Sequence, residues 1–276
     1  MKPIGLTLLL VFTFVGATAQ IQVSYGELTT WTITNYDGSI AKKKAIIYFD
    51  TKSSLEQVLY ILPLGYTDTT ELPKEKKENI INEKGENVTK FSFNLGPTKP
   101  YAPKDMYTVF RSFSKQESVS KAMKLLAGGN GKAEYYILED KEIDFGWQIT
   151  TERKKIGDFE CVKAISKPFR GRVYEAWFAP EIPISGGPWK LCGLPGLILE
   201  AKDQSGEVSF VMEKLTINPT ERKAIFNPYE NVKLPRITWE QYKKLIKEEN
   251  TKMYKATMAA GGRVLSHTTK SIEMID

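Results

Sequence analysis

Short apolar runs rich in β-branched and aromatic residues recur along this chain, and polar turns separate them. Runs of this length predict β-strands rather than helices. In the first half, the pattern predicts a strand within Ile21–Thr34 and a partner strand at Ala45–Phe49. In the second half it predicts an antiparallel meander, with strands at 134–139, 147–153, 159–166, 173–178, 197–201 and 208–215. We therefore expect a mainly β chain whose antiparallel sheet curves strongly into an open barrel or bowl.

The C-terminal region changes to a helical pattern. Thr238 and Gln241 have the spacing of a capping box, in which each side chain bonds the backbone of the other residue. Trp239 and Tyr242 then begin an apolar series at helical spacing. The sequence predicts an amphipathic helix that ends at Gly261-Gly262.

Three earlier segments are less regular. Ser114–Leu126 predicts a short helical insertion that ends at the glycine-rich turn of residues 128–131. Ser53–Tyr60 fits a strand or a short helix, because its Ser-x-x-Gln opening resembles a capping box. Residues 62–104 carry five prolines and predict an irregular excursion with one hairpin.

The N-terminus has the pattern of a signal peptide at residues 1–19. Lys2 precedes an apolar run, and Ala17-Thr18-Ala19 matches the Ala-x-Ala pattern of a signal-peptidase cleavage site before Gln20. The run is shorter than the ~20 residues that a spanning helix needs, and no later segment is apolar enough to cross a bilayer. We expect an exported protein that is periplasmic, outer-membrane associated or secreted, with a single β-rich domain over 20–276.

The charge and the histidine content exclude several classes of function. The formal net charge is +6 at pH 7, but the basic residues are scattered, which argues against a nucleic-acid partner. The only histidine is His267, and no Gly-x-Ser-x-Gly motif is present, so acyl transfer is not expected. A single histidine cannot provide the pair of histidine ligands found in many zinc sites, and the carboxylates do not have the spacing of a calcium-binding loop. We predict no catalytic residues of these kinds, no metal site and no cofactor.

Paired carboxylates leave one catalytic alternative open. Two acidic side chains facing a groove at the right separation are sufficient for glycoside hydrolysis. The candidates in the predicted meander are Asp144, Glu152, Asp158, Glu160, Glu175 and Glu181. A carboxylate-dependent glycan or glycopeptide hydrolase, or an accessory domain of one, is therefore the alternative function.

The only two cysteines, Cys161 and Cys192, predict a disulfide in an oxidising compartment. Closing this loop of about 30 residues would stabilise the fold by about 3.5 to 4 kcal/mol in the chain-entropy model. A zinc pair or a redox dithiol is the weaker interpretation, since no histidine lies nearby and no Cys-x-x-Cys is present.

The segment from Ile182 to Ile198 cannot be an ordinary helix or strand. Prolines and glycines constrain its backbone, and apolar residues are interleaved among them. Its glycines precede neither a helix start nor a Lys-Ser/Thr pair, so a phosphate cradle is not supported. We expect a crossover packed on the core that leads into the strand at 197–201. We call residues 182–196 the Gly/Pro segment.

Several blocks within residues 133–218 closely resemble the GLPGLI family. The blocks are Trp147, Gly157-Asp158-Phe159-Glu160-Cys161, Phe169-Arg170-Gly171-Arg172, Ala176-Trp177-Phe178-Ala179-Pro180, Gly187-Pro188-Trp189-Lys190 and Gly193-Leu194-Pro195-Gly196-Leu197-Ile198. The resemblance implies an exported protein of Bacteroidota with no established catalytic activity. A weaker similarity links the family to the bowl-shaped N-terminal domain of some bacterial peptide:N-glycanases, which is a hint about fold only. The family's surroundings suggest an outer-membrane TonB-dependent receptor or another envelope protein as partner.

The motif residues Arg170, Arg172, Trp177 and Trp189 are the candidate binding residues. The arginines are expected to reach carbonyls of the Gly/Pro segment or to pair with nearby carboxylates, namely Asp158, Glu175 or Glu181. The tryptophans, with Trp147, are expected to pack under that segment, and a carbohydrate-stacking platform is the alternative. The sequence therefore favours a non-catalytic ligand- or partner-binding β module of the cell envelope.

Overall fold

The computed structural model describes residues 20–31, 39–61, 75–81, 87–93, 108–126 and 133–259. Several predictions fall outside these ranges. They concern the signal peptide at 1–19, most of the irregular excursion, the glycine-rich turn at 128–131, the helix end at Gly261-Gly262, and His267.

The described residues form fourteen strands and one helix. The strands are β1 Ile21–Trp31, β2 Ser39–Phe49, β3 Ser53–Ile61, β4 Glu75–Ile81, β5 Asn87–Phe93, β6 Thr108–Ser112, β7 Glu117–Leu125, β8 Ala133–Lys141, β9 Gln148–Ile156, β10 Phe159–Ile165, β11 Tyr174–Ala179, β12 Leu197–Asp203, β13 Val208–Ile217 and β14 Arg236–Ile237. The helix is α1 Trp239–Ala259. The mainly β prediction is confirmed, with the meander strands close to their predicted positions.

Twelve of the strands form one large sheet in the order β14-β8-β7-β6-β3-β2-β1-β13-β12-β11-β10-β9. The short β14 pairs in parallel with β8, and the other neighbours are antiparallel. The sheet is not closed into a barrel, because β14 and β9 are its two edges. The hairpin β4–β5 is separate and lies within the predicted excursion. The first strand, β1, lies in the middle of the sheet and joins the two halves of the chain.

Both faces of the sheet are buried around β10 to β13. Along β12, Ile198 packs in one apolar cluster with Tyr174 and Phe210. Its neighbours Leu197 and Leu199 pack in a second cluster, together with residues of β1 and β2. Because successive side chains of a strand point to opposite faces, the two clusters lie on opposite sides of the sheet. This explains why the apolar run at the start of β12 is continuous rather than alternating.

The predicted helical insertion is wrong. Residues 114–126 belong to a tight turn and to β7, which pairs with β6 on one side and β8 on the other. In the turn, Gln116 adopts a left-handed backbone conformation with φ of 49°, and its N–H donates to the carbonyl of Phe113 at 3.3 Å. The two partner strands bond the backbone N–H and C=O groups of β7. In a short exposed helix, the groups at both ends would have to bond water instead.

Ser53–Tyr60 is a strand, β3, and not a helix. Asp50, not Ser53, is the capping side chain here. Its Oδ1 accepts from the N–H groups of Lys52 at 2.8 Å and Ser53 at 2.6 Å. The Ser53 hydroxyl bonds the same carboxylate at 3.1 Å. Asp50 and Ser53 therefore close the β2–β3 turn.

The C-terminal helix begins as predicted. The Thr238 N–H donates to Gln241 Oε1 at 2.9 Å, and the Gln241 N–H donates to Thr238 Oγ1 at 3.3 Å, which is a reciprocal capping box. Trp239 packs on Leu138 of β8, and the Tyr242 hydroxyl donates to the carbonyl of Met123 in β7 at 2.8 Å. Among the described residues, no helix is long and apolar enough to cross a membrane.

The Gly/Pro segment folds back on itself between β11 and β12. The Leu197 N–H donates to the Ile182 carbonyl at 3.0 Å, and the Ile198 N–H donates to the Gly186 carbonyl at 2.9 Å. A Cβ at Gly196 would overlap the carbonyl oxygen of Ala179 and would lie 2.8 Å from its carbonyl carbon. Close backbone approach therefore requires glycine at this position.

Candidate functional site

Four buried polar residues lie in a line across neighbouring strands. Ser54 of β3 is opposite Arg111 of β6, Arg111 is opposite Ser118 of β7, and Ser118 is opposite Asp140 of β8. Directly paired residues share one face of a sheet. Their exposed fractions are 2%, 6%, 1% and 3%, in the same order. Burying polar groups is costly unless they are paired, so we treat these four residues, called the polar row, as the candidate site.

A further buried polar residue, Glu56, lies beside the polar row on the same strand, β3. This residue lies two positions after Ser54 and therefore on the same face, and it is 3% exposed. Burial, and then the nearby Glu56 carboxylate, raise the pKa of Tyr25 well above its usual value. The Tyr25 hydroxyl donates to the Ile198 carbonyl at 2.6 Å. It therefore stays protonated and ties β1 to the start of β12.

Asp140 is bound by two cations. Lys190 Nζ of the Gly/Pro segment lies 2.6 Å from Asp140 Oδ2, and Arg170 Nη2 lies 2.7 Å from Oδ1. Burial alone would raise the pKa of Asp140, but the Lys190 ammonium and the Arg170 guanidinium outweigh it and hold the pKa below its ordinary value. The Arg170 guanidinium also lies 4.2 Å from the ring centroid of Trp239. Asp140 thereby joins Lys190 of the Gly/Pro segment and Arg170 to β8, and Arg170 in turn contacts Trp239 of the C-terminal helix.

Arg111 supports the next residue of the same segment. Its Nη1 donates to the Leu191 carbonyl at 2.8 Å, and its guanidinium carbon lies 5.9 Å from the ring centroid of Phe113. The neighbouring carbonyl, of Cys192, accepts from Trp147 Nε1 at 2.6 Å. Carbonyls of the Gly/Pro segment are thus satisfied by side chains from β6 and from the entry to β9.

The two motif arginines form ion pairs, but with other partners than predicted. Arg170 pairs with Asp140, and Arg172 lies 2.5 Å from Asp203 and 3.1 Å from Glu207 at the β12–β13 hairpin. Asp158, Glu175 and Glu181, the partners expected from the sequence, are not the carboxylates of these pairs. Because the true partners lie 30 to 35 residues away, local spacing gave no signal for them.

Trp189 and Trp177 have different environments. Trp189 is 7% exposed and packs among aromatic rings, with its centroid 5.9 Å from Tyr174 and 6.3 Å from Phe145. Trp177 is partly buried against the second cluster, and Lys154 Nζ lies 4.5 Å from its ring centroid. Trp189 therefore lies beside the polar row, next to Lys190, whereas Trp177 is on another part of the molecule.

The structure does not contain the predicted disulfide. Both cysteines are free thiols, and Cys161 packs with Leu197 while Cys192 packs with Ile198, on opposite faces of the sheet. Burial raises the pKa of the Cys161 thiol to about 11. Cys192 instead donates weakly to the Ile143 carbonyl at 3.9 Å. Sequence spacing cannot show that a sheet separates two cysteines.

Several carboxylates of the hydrolase alternative have structural partners. Lys163 Nζ lies between Glu152, at 3.2 Å, and Glu175, at 3.5 Å. Asp144 accepts from the Gly146 N–H at 2.7 Å, which closes a turn. Among the described residues, no group of three or more potential ligands is arranged to hold a metal ion.

A shallow surface depression of about 460 Å³ lies next to the start of β9. Its lining is formed by Gly146, Trp147, Gln148, Ile165, Ser166 and Lys167. None of these lining residues is a carboxylate, so the depression itself offers no acid pair for glycoside hydrolysis.

Comparisons with known proteins give a short family match and distant structural neighbours. Residues 170–200 match the model of a family described as a protein of unknown function (Porph_ging). No curated protein matches the chain. Two solved structures of PNGF-II, in space groups C2 and P21, are similar at 13% and 12% identity, with TM-scores of 0.47 and 0.46. Each alignment covers 84% of this chain and 34% of the other, so the chain spans about a third of the length of those structures.

Proposed function

We propose that this protein is an exported, non-catalytic β module of the cell envelope that binds a partner protein through the outer edge of β9. The observation that carries the proposal is an asymmetry between the two edges of the large sheet. A strand edge presents unpaired backbone N–H and C=O groups, which an extended segment of another chain can bond.

One edge is partly occupied by the chain itself. Arg236 and Ile237 of β14 pair with β8, and the Ile137 N–H donates to the Pro235 carbonyl at 2.9 Å. The helix α1 packs on β7 and β8 beside this edge. At the opposite edge, the nine residues of β9 pair only with β10 among the described strands. An added strand therefore has a long template at β9 and a short one at β8.

Charge favours an acidic partner strand over a second copy of this chain. Arg153 and Lys155 of β9 are exposed, and the sequence continues the basic run through Lys154. Two such edges would repel each other, whereas an acidic extended segment would be attracted. An outer-membrane TonB-dependent receptor or another envelope protein is the class of partner that we propose, and the periplasm or the outer-membrane surface is the location.

We also propose that the sheet curves into an open bowl around the Gly/Pro segment. The carbonyl of Gly186 accepts from Ile198 of β12, and a Cβ at Gly186 would lie 2.9 Å from the Phe49 ring of β2. These strands are three positions apart in the sheet, which is about 14 Å in a flat arrangement. Contact of one residue with both strands supports strong curvature.

Pull-down from the envelope fraction of the source organism tests the partner proposal. The bait is the mature protein, and the double variant Arg153→Glu/Lys155→Glu reverses the exposed charges of β9. The matched control, Lys223→Glu/Lys233→Glu, makes the same charge change at exposed residues outside the sheet. We expect one reproducible partner that the wild type and the control retain and the β9 variant loses. Equal recovery by all three proteins would contradict binding at this edge.

The hydrolase alternative is tested with the variants Glu160→Gln, Glu175→Gln and Glu181→Gln. The Glu175 carboxylate already pairs with Lys163, and Glu181 accepts from the Glu160 N–H at 3.4 Å, which supports structural roles. We expect no turnover of glycans or glycopeptides by the wild type. Turnover that one of these substitutions abolishes, without loss of folding, would favour the hydrolase.

A further inference from the structure

Arg111 is a buried cation that forms no ion pair with a described residue. It is 6% exposed, and its contacts are the Leu191 carbonyl and the Phe113 ring. An arginine guanidinium stays protonated in proteins, so its charge cannot be removed by deprotonation. A buried charge without a partner is strongly destabilising. Glu56, buried on the same face of the sheet, supplies one negative charge nearby, but the Arg111 Nε–H still has no acceptor.

Two donors on neighbouring strands have no hydrogen-bond partner among the described residues. They are Arg111 Nε and the hydroxyl of Ser118, and Ser118 is 1% exposed. The two residues are directly opposite each other on β6 and β7, and both side chains lie on the face that the Gly/Pro segment covers. Opposite residues of antiparallel strands have Cα atoms about 4.5 to 5.5 Å apart, close enough for both groups to bind one ion.

The surrounding charges make the point electropositive. The next residue of the polar row, Asp140, is already shared by the Lys190 ammonium and the Arg170 guanidinium. With Arg111 there are three positive charges against the carboxylates of Asp140 and Glu56, which leaves one positive charge in excess. An anion is favoured over a neutral ligand at such a site.

We propose that Arg111 Nε–H and Ser118 Oγ–H bind a small monovalent inorganic anion, with chloride as the physiological candidate, beneath the Gly/Pro segment. The near-complete burial of both residues limits the ligand to a single small ion. The ion balances the Arg111 charge and fixes the guanidinium whose Nη1 holds the Leu191 carbonyl. The site is distinct from the β9 edge and does not depend on the partner-binding proposal.

Chloride-dependent stability is the first test. Thermal unfolding of the mature protein is measured in increasing sodium chloride, with sodium gluconate keeping the ionic strength constant. A ligand that binds only the folded state raises the unfolding temperature, by about 3–5 °C for each tenfold rise above its dissociation constant. We expect this rise for the wild type and its loss in Ser118→Ala and Arg111→Met.

Ser166→Ala is the matched control, because Ser166 is also buried but bonds the Tyr174 N–H, away from Arg111. It should lower stability and keep the chloride dependence. Crystals soaked in sodium bromide give a direct readout, and we expect an anomalous peak in contact with Arg111 Nε and Ser118 Oγ. A chloride-independent unfolding temperature, or a water molecule in place of bromide at this point, would overturn the proposal.

Discussion

Gly196 shows how a single residue shapes the Gly/Pro segment. A side chain there would meet the backbone of Ala179, and the backbone of β11 cannot move without disturbing its pairing with β12. At Gly187, by contrast, a Cβ would meet the side chain of Ile198, at 2.8 Å. Backbone contacts are harder to relieve than side-chain contacts, so Gly196 should be the least replaceable glycine of the segment.

Replacing Gly196 with alanine should destabilise the fold by more than about 3 kcal/mol, because the added methyl overlaps a main-chain carbonyl. Gly206→Ala is the control. Gly206 has a φ of 74°, and a Cβ there meets nothing within 4 Å, so only backbone strain of about 1–2 kcal/mol is expected. Urea unfolding gives the free energy of unfolding of both variants, and the two losses relative to wild type are then compared. If Gly196→Ala lost no more stability than the control, the close approach of Gly196 to the Ala179 carbonyl would be contradicted.

The ion pairs of Asp140 make stability depend on acid pH. The folded-state pKa of Asp140 lies below its unfolded value, so the stabilisation is present above the unfolded pKa of about 3.9 and is lost as pH falls through the folded pKa. Asp140→Asn should lower the unfolding free energy by about 3–5 kcal/mol at pH 7, since it leaves two buried cations without their carboxylate. Chemical denaturation between pH 2.5 and 7 should show this gap narrowing with acid.

Asp158→Asn is the matched control, because Asp158 is exposed in the β9–β10 turn. Its effect at pH 7 should stay within about 0.5 kcal/mol. If Asp140→Asn were equally mild, or if its cost did not change with pH, the buried ion pairs would not have the role that we assign.

At the scale of elements, buried polar residues explain why the sequence of Ser114–Leu126 predicts a helix where the structure has the strand β7. Ser118 and Lys124 are buried although their residue types are usually exposed. Strand prediction relies on apolar residues alternating with polar ones, and this signal is lost when the inward positions are polar. Lys124 is paired with Glu134 at 2.7 Å and lies near Glu249 of α1, partners that only the folded structure brings together. The meander strands β10 to β12 were predictable because their inward residues are apolar.

The helix α1 was also predictable, because its start is encoded locally by Thr238 and Gln241. Thr238→Ala should cost about 1 kcal/mol, since the Gln241 N–H loses its acceptor at the end of the helix. Thr238→Ser keeps the hydroxyl and should restore most of this loss. Thermal unfolding monitored by circular dichroism measures both variants. An alanine variant as stable as wild type would mean that packing of Trp239 alone fixes the start of the helix.

For the whole molecule, the pairing of β1 with β13 is the feature that local sequence cannot reveal. Ile21 lies opposite Ile217, so this ladder joins the first strand of the chain to the last strand of the meander. Gln20 strengthens the closure, because its side chain donates to the Lys223 carbonyl at 2.7 Å and accepts from the Lys223 N–H at 2.9 Å. This pairing joins the strands of the polar row and the strands of the meander in one sheet. Motifs alone could not assemble the candidate site, although two of the predicted binding residues, Arg170 and Trp189, lie next to it.

Hydrogen–deuterium exchange shows whether an acidic partner strand binds along β9. The exchange of backbone amides is compared between the protein alone and its complex with the partner that the pull-down recovers. The account predicts slower exchange along Gln148–Ile156, with β14 and the start of α1 unchanged. Unchanged exchange in β9, with protection elsewhere on the molecule, would contradict it.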